Sequence, residues 1–517
     1  MDGSEGDLEQ ALVAARSGMA VAYWASRSPD RIALSHGAQA LTFSELNARS
    51  NALVRVLRAA GLRPGDGLAL LSSNRAEYAE VVIARERTGM RLIPLNWHLS
   101  AAEITYIVRD SGARAMIAEA RFAAVAAQVA DELDIKLAVG GSIAGFADYE
   151  AALATQPMHD VDSPTRGSTM TYTSGTTGRP KGVFRPEDPV VTMEMINFYG
   201  YRAGTDVALC TGPLYHTAVL AYSLILPLLA GTRVVLMDRW DAAEALRLIE
   251  HEQVTHTHMV PIMFSRLLAL PEHERVEADV SSLRFVIHGA APCPVSVKQR
   301  MIDWVGPIIW EYYAATEGRA TMCDPQTWES RPGTVGRPIV SGAVIVGDGE
   351  ANPLPPRTVG LLWIRSTIDT RFRYWGDETK TREAYRGDLF TLGDVGFADE
   401  DGYLYLTDRS ADLIISGGVN IYPAEIDAVL VEHPLVADSA TIGESDDEWG
   451  ERVLSLVELL PGAEATAALE HELIIWARER LATYKCPRRI EFLDSLPRSE
   501  AGKLLRTQLR ARYRATA

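Results

Sequence analysis

The 517-residue sequence predicts a large α/β domain built on parallel strands, followed by a small α+β domain. Three observations carry that prediction. Short apolar strands alternate with amphipathic helices, the spacing that gives a parallel sheet covered on both faces. The length exceeds one ordinary domain and allows a large core. The pattern changes near Asp408, where a second set of strands and helices begins.

Each element has a local reason. Thr42-Phe-Ser-Glu45 is a capping box and opens a helix running to Gly61. Arg63-Pro-Gly-Asp66 is a turn before a buried strand at Leu68 to Leu71. A helix from Ala76 to Thr88 and a strand at Leu92 to Leu95 follow. Ser100 with Glu103 caps the next helix, and Ala113 to Ile117 reads as a strand. The alternation resumes with strands at Thr232 to Met237, Thr255 to Met259 and Leu283 to Ile287, a helix at Ala242 to His251, and a short strand at Ile308 to Trp310. Gly402 to Thr407 closes the large domain as a strand. Leu413 to Ser416 starts the new unit, with Gly417-Gly418 as a turn and Pro423 at the first turn of a helix to His433. Strands at Ala437 to Ile442 and Val453 to Leu459 precede a helix over Ala468 to Ala482, with Leu469, Leu473, Ile474, Ala477 and Leu481 on one face. The first about 15 residues are expected to fray. No short-period repeat or low-complexity tract is present.

Composition narrows the function. Hydrophobic residues at 47% and aromatics at 8% describe a globular chain. A formal charge of -17 argues against nucleic acid or an anionic membrane as main partner, since both demand basic surface. Cys210, Cys293, Cys323 and Cys486 lack metal-ligand spacing and read as reduced, buried thiols of a cytoplasmic protein. The acidic N-terminus lacks a signal pattern, and the apolar run Tyr222 to Ala230 is too short to span a bilayer.

The most informative stretch is Thr171-Tyr-Thr-Ser-Gly-Thr-Thr-Gly-Arg-Pro-Lys-Gly182. Glycines let successive N–H groups face an anion, hydroxyls add donors, and Lys181 adds positive charge. That chemistry suits a polyphosphate. A P-loop would place Ser or Thr after the lysine, where Gly182 stands. The plain alternative is a Gly/Thr-rich surface turn.

The stretch resembles, without a break, the phosphate-binding loop of the acyl-adenylate-forming superfamily: acyl-CoA synthetases, adenylation domains and luciferases. The resemblance covers about residues 20 to 515, with separate motifs in the family's order. It implies a large N-terminal domain (1–408) with a small β-barrel-like subdomain, a hinge (409–411), and a small mobile C-terminal α+β domain (412–517). It also implies ATP, Mg2+ and CoA, and it is compatible with a homodimer.

In the resemblance, Thr173, Ser174, Gly175, Thr176, Thr177, Gly178 and Lys181 hold the phosphates. His288-Gly-Ala-Ala-Pro292 ends a strand, where α/β sheets place ligands, though small residues there also suit tight strand–helix packing. Gly289, Ala290, Ala291 and Pro292 match the adenine-side loop. Tyr312-Tyr-Ala-Ala-Thr-Glu-Gly318 follows; taken alone, its glutamate is an ordinary solvated side chain. By resemblance Tyr312, Tyr313, Ala314 and Thr316 meet the nucleotide, and Glu317 with Thr176 holds Mg2+. Many members carry glycine where this segment has alanine. Asp394 matches the carboxylate that accepts from the ribose hydroxyls, and Arg409 the arginine on ribose or phosphate.

Lys503, in Leu496-Pro-Arg-Ser-Glu-Ala-Gly-Lys-Leu-Leu505, would be a solvated charge by default. It matches the lysine that bridges substrate carboxylate and α-phosphate, so the catalytic set is Lys503, Glu317 and Lys181. Tyr215 and His216 match the acyl-tunnel wall, which Gly289 and Ala314 share. Ser416, Gly417, Gly418, Trp449, Arg452 and Lys485 match the CoA channel and nucleotide site. At the hinge, Ala411 stands where many relatives carry Asp or Lys.

The implied reaction joins a carboxylic acid to CoA through acyl-AMP, with the domains alternating between half-reactions. Thr217 to Leu229 is apolar and offers no acid for a substrate amine. The expected substrate is therefore an apolar acid: a medium or long fatty acid, or a bulky cyclic, bile-acid or steroid side-chain acid. A ligase loading a carrier protein is one alternative, although no extra insertion in the large domain is found. A luciferase-type oxygenase has no support. A non-catalytic nucleotide- or acyl-CoA-binding protein is disfavoured by the presence of Lys181, Glu317, Asp394, Arg409 and Lys503.

Overall fold

The structure is a computed structural model that describes residues 3–129, 133–173, 180–186, 190–339, 342, 344–366, 371–409, 412–416, 419–446, 449–499 and 502–514. The chain divides into two compact units. The first comprises Met1–His258, Asp279–Phe285 and Ile368–Glu383; the second comprises Met259–Ala278, Val286–Thr367 and Ala384–Ala517.

The first unit contains an eight-stranded sheet. Gly67–Leu71 lies at its heart, parallel to Arg91–Pro94 on one side and Ala113–Glu119 on the other. Both expected capping boxes are present. Thr42 and Glu45 exchange hydrogen bonds at the head of Phe43–Ala59, and Ser100 and Glu103 at the head of Ala101–Ser111. Each satisfies donors that a helix start leaves open. The strand Gly67–Leu71 is buried at every position, as a parallel strand covered on both faces must be.

The N-terminus does not fray as expected. Gly3–Ala15 is a helix with Leu8 and Ala11 buried. Asp7 accepts from the Tyr23 hydroxyl at 2.7 Å and from Arg27 Nε at 2.9 Å. Tertiary contacts hold an end that its acidic composition left open.

A second sheet region of this unit runs Gln39–Thr42, Ile32–His36, Arg233–Leu236, Val207–Cys210 and His256–Met259. Behind it the expected apolar segment folds as Thr217–Leu220, a wider π-helical turn over Ala221–Ile225, and Leu226–Leu229. Such turns redirect side chains and recur at functional sites. Here Tyr222 stacks on His258, with centroids 5.7 Å apart. Tyr201 stacks on His256 at 4.3 Å, and Tyr199 packs edge-on against Tyr222.

In the second unit, Phe285–His288 pairs in parallel with Ile309–Ala315, with His288 opposite Glu311. The latter strand is longer than expected and carries Tyr312 and Tyr313 inside it. Gly318–Cys323 returns antiparallel, and Ala315 faces Gly318. A five-stranded antiparallel sheet holds Leu389–Ala398 between Gly360–Arg365 and Leu404–Arg409. The C-terminal part is a sheet of Val419–Ile421, Ile414–Ser416, Gly450–Leu459 and Val436–Asp446, with Arg489–Leu493 parallel to Gly450–Leu459. Leu469, Leu473 and Ala477 pack into its core as their spacing foretold. Cys210, Cys293, Cys323 and Cys486 are all free thiols; Cys293 is half-buried and the others buried. Among the described residues no helix is long and apolar enough to cross a membrane.

The buried imidazoles of the first unit make its stability depend on pH. Burial lowers His216 to about 4 and His258 to about 3, and lowers His256 as well. In the unfolded chain these groups bind protons near pH 6.5. Between those values the unfolded state holds more protons, so stability present above about pH 6.5 is lost as the pH falls toward 4. We expect the thermal midpoint to drop over that window. His258→Phe, which keeps a ring against Tyr222, should flatten the drop in a pH series of melting curves. An unchanged slope would remove His258 from this account.

Candidate active site

The expected phosphate loop is bracketed by a hairpin. Ser168–Thr173 and Lys181–Phe184 are antiparallel, and Thr173 faces Lys181. The two strands thus deliver Thr173 and Lys181 to the same end. Ser174, Gly175, Thr176, Thr177 and Gly178 lie outside the described residues. Lys181 Nζ sits 5.1 Å from the centroid of the Tyr374 ring. Tyr374 is held there because Arg373–Tyr374 extends the same sheet, opposite Val183 and Phe184. A ring face attracts an ammonium and leaves its outer donors available.

In the second unit, Thr316 and Glu317 form the two-residue tip between the paired Ala315 and Gly318. The hairpin therefore presents a carboxylate beside a hydroxyl, both hard oxygen donors of the kind Mg2+ takes together with phosphate oxygens. Tyr313 sits three positions before that tip, buried, and its hydroxyl donates to Asp394 Oδ2 at 2.7 Å. Asp394 is itself buried, and its backbone is the register partner of Arg409. Thus strand pairing sets Arg409 opposite Asp394, and a side-chain hydrogen bond brings Tyr313 to the same place from another sheet.

The loop after His288 closes on the same strand. At Gly289 a Cβ would stand 2.6 Å from the Tyr312 carbonyl oxygen and 2.7 Å from its ring, so only glycine fits. Ala290 adopts a left-handed φ of 67°, a conformation L residues avoid and structures retain mainly at sites. Ala291 is half-buried and Pro292 exposed, and Ala314 follows Tyr313 at a bulge.

Lys503 is exposed at the end of a tight turn. Ser499 N–H donates to the Lys503 carbonyl at 2.8 Å, and Arg498 and Leu504 bridge antiparallel. Arg498 anchors the turn: it donates to both oxygens of Asp438 at 2.6 and 2.7 Å and to the Gly502 carbonyl at 2.7 Å. Gly502 has φ of 72°, and a Cβ there would meet Ile262 at 2.7 Å and Val260 at 2.8 Å. The turn therefore seats on the head of the helix Pro261–Leu268. Asp438 was not singled out from the sequence, because no local pattern links residues so far apart.

The expected CoA residues that the structure describes lie in the C-terminal sheet, in the turn before Gly450 and in the turn Thr483–Lys485. Ser416 pairs with Gly450, beside Trp449, which is exposed. Arg452 donates to Glu444 at 2.7 Å, and Lys485 to both oxygens of Glu425 at 2.7 and 2.8 Å. Arg488, which the sequence reading passed over, lies 5.6 Å from the Trp449 ring and makes no ion pair among the described residues. Gly417, Gly418 and Ala411 lie outside the described residues.

In the first unit, Tyr215 is buried and His216 contacts its ring at 4.5 Å. His216 Nε2 is buried and has no hydrogen-bond partner among the described residues. The approach to this pair is fixed by buried Asn74, which bonds the Gly212 carbonyl at 2.8 Å, the Met237 carbonyl at 2.9 Å and the Leu214 N–H at 2.9 Å. Asn74 is another residue the sequence reading missed, as a lone asparagine carries no signal.

Known proteins resemble this chain over nearly its whole length. A family model described as AMP-binding enzyme matches residues 21–372, and one described as AMP-binding enzyme C-terminal domain matches 425–503. A feruloyl-CoA synthase from an Amycolatopsis species is 35% identical, over 95% of this chain and 97% of its own. ScoC of Streptomyces coeruleorubidus, a fatty acid–acyl-carrier-protein ligase, is 34% identical over 95% of each chain. The crystal structure of the anthranilate CoA ligase AuaEII with anthranoyl-AMP superimposes with a TM-score of 0.87 at 25% identity, covering 97% of this chain and 98% of that one. The chain belongs to the AMP-binding enzyme family, in its acyl-CoA synthetase branch, and is an AMP-forming acid–thiol ligase that works with ATP, Mg2+ and CoA.

Proposed function

We propose that the chain activates a bulky apolar acid with a ring system and transfers it to CoA. The observation that carries the substrate class is the aromatic wall of Tyr199, Tyr201, Tyr222, His256 and His258 behind the π-helical turn. The rings pack on one another, Tyr222 being the least buried of them, and a wall built of flat neutral faces suits a planar or alicyclic body. Burial disfavours the charged form of His256 and His258, so the wall does not oppose an apolar substrate. The names of two relatives, a feruloyl-CoA synthase and an anthranilate CoA ligase, fit the same direction.

In the proposed mechanism a carboxylate oxygen of the acid attacks the α-phosphorus of ATP. The bond to pyrophosphate breaks and acyl-AMP forms. The phosphate hairpin with Lys181 holds the polyphosphate. Asp394, oriented by Tyr313, accepts from the ribose hydroxyls, with Arg409 alongside. Lys503 places its ammonium between the carboxylate and the α-phosphate, offsetting charge as it builds. Glu317 and Thr176 would hold Mg2+, which would supply positive charge at the phosphate oxygens. The C-terminal domain (412–517) then turns about 409–411, carrying Lys503 away from the large domain (1–408). The CoA thiol, guided past Ser416, Gly417 and Gly418, attacks the acyl carbonyl, and AMP leaves. Trp449 offers a stacking face to the CoA base; Arg488, together with Arg452 and Lys485, offers charge to its phosphates. The protein acts in this reading as a cytoplasmic enzyme.

The test is pyrophosphate release with ATP, Mg2+ and a panel of acids, each with and without CoA. The panel runs from short and long fatty acids to benzoate, cinnamate, cyclohexanecarboxylate and a bile acid. Multiple turnover with CoA on the ring acids is expected. Turnover confined to linear acids would overturn the substrate class. Acyl-AMP that forms but never passes to CoA would favour a carrier protein as acceptor, as in the named activity of ScoC.

Three substitutions probe the first half-reaction. Lys503→Ala should lower acyl-AMP formation by roughly 100-fold or more while preformed acyl-AMP still reacts with CoA. Gly502→Ala, which forces a Cβ against Val260 and Ile262 at a left-handed φ, should slow adenylation and leave the second step closer to normal. Tyr313→Phe removes a bond to a buried carboxylate, about 1–3 kcal/mol, and should raise KM for ATP with little change in KM for the acid. Equal loss in both half-reactions for Lys503→Ala would refute its assigned role.

A further inference from the structure

We propose that the buried Lys298–Glu311 ion pair is a positioning device for the nucleotide, fixing the two backbone segments between which adenine and ribose are held. It rests on the nucleotide-site assignment above. Glu311 lies on the strand Ile309–Ala315, directly before Tyr312 and Tyr313. Lys298 lies on the helix Val295–Val305, is fully buried, and donates from Nζ to Glu311 Oε2 at 2.7 Å. His288, also fully buried, brings Nε2 to 3.5 Å from the same oxygen.

One carboxylate oxygen therefore lies near both ends of the segment 288–298, bonded to Lys298 and 3.5 Å from His288, and that segment contains Gly289, Ala290, Ala291 and Pro292. The same strand carries Tyr313, whose hydroxyl bonds Asp394. The pair is enclosed by rings: Nζ stands 4.7 Å from the Trp328 centroid, and Phe264 packs edge-on against His288 at 5.1 Å.

Stability alone does not explain such a group. Removing two charges from water is costly, and apolar residues of similar size often serve the core as well. A directional link does explain it, because the segment contains a residue at an unfavourable φ, Ala290, and a contact only glycine permits. Both need their surroundings held in place.

The experiment compares Lys298→Met/Glu311→Gln, which removes both charges, with Glu311→Gln and the unaltered full-length protein. Readouts are KM for ATP, KM for the acid, kcat of acyl-AMP formation and the thermal midpoint. The expected result is a KM for ATP raised roughly tenfold in the double variant, with kcat and KM for the acid nearly unchanged. Glu311→Gln, which keeps a hydrogen-bonding oxygen, should fall between. A folded double variant with unaltered KM for ATP would overturn the proposal and leave the pair purely structural. Should the double variant not fold, Glu311→Gln decides by the same criterion. Asp394→Ala serves as the reference. If it too leaves KM for ATP unmoved, the nucleotide-site assignment fails. If it raises KM while the pair variants do not, the positioning proposal fails alone.

Discussion

The bond from Tyr313 to Asp394 is the constraint on which the second unit's site depends. It joins a strand of one sheet to a strand of another, and both groups are buried. A buried carboxyl group is costly unless a donor meets it, and the Tyr313 hydroxyl does so. Tyr313 occupies Oδ2 of Asp394, and the backbone pairing with Arg409 sets the strand beneath it. The hairpin tip with Glu317 and the glycine contact at Gly289 are then consequences of how far the strand Ile309–Ala315 extends.

That extension was the part of the fold least legible in the sequence. Ile308 to Trp310 reads as a strand because it is apolar, whereas Glu311-Tyr-Tyr-Ala-Ala315 lacks alternation. Its inward glutamate is tolerated only because Lys298 meets it, and a pairing across a helix leaves no local mark. Capping boxes, by contrast, are local, and Thr42–Glu45 and Ser100–Glu103 were readable at once. The N-terminal helix was missed for the same reason as the glutamate: Asp7 looks like a solvated acid until Tyr23 and Arg27 are found beside it.

The site divides along the same line. Candidate residues in unbroken motifs, such as Thr173, Lys181, Glu317 and Lys503, stand out in the sequence by their order alone. Residues that orient them do not. Asn74 fixes the turn before Tyr215, and Asp438 holds the arginine of the Lys503 turn, each through contacts over more than fifty positions. Charge neutrality also hid from the sequence. Arg452 and Lys485 look like phosphate ligands, yet each already has a carboxylate partner, so CoA phosphates would have to compete with Glu444 and Glu425. Exposed pairs of this kind are weak, about 0–1 kcal/mol, and a phosphate with two negative charges can displace them.

The same distinction between strong and weak contacts bears on the proposed alternation. Lys503 is carried by a turn whose two attachments differ in kind. Arg498 to Asp438 is bidentate and partly buried, and both residues lie in the C-terminal part of the chain. Gly502 against Val260 and Ile262 is a small apolar contact to a segment preceding the hinge in sequence. Apolar contacts contribute about 25 cal/mol per Å2, are non-directional and re-form without a geometric search. A rotation that withdraws Lys503 would break the second kind and keep the first. The turn would then travel as a rigid piece, and the lysine would return to the same place in the next cycle.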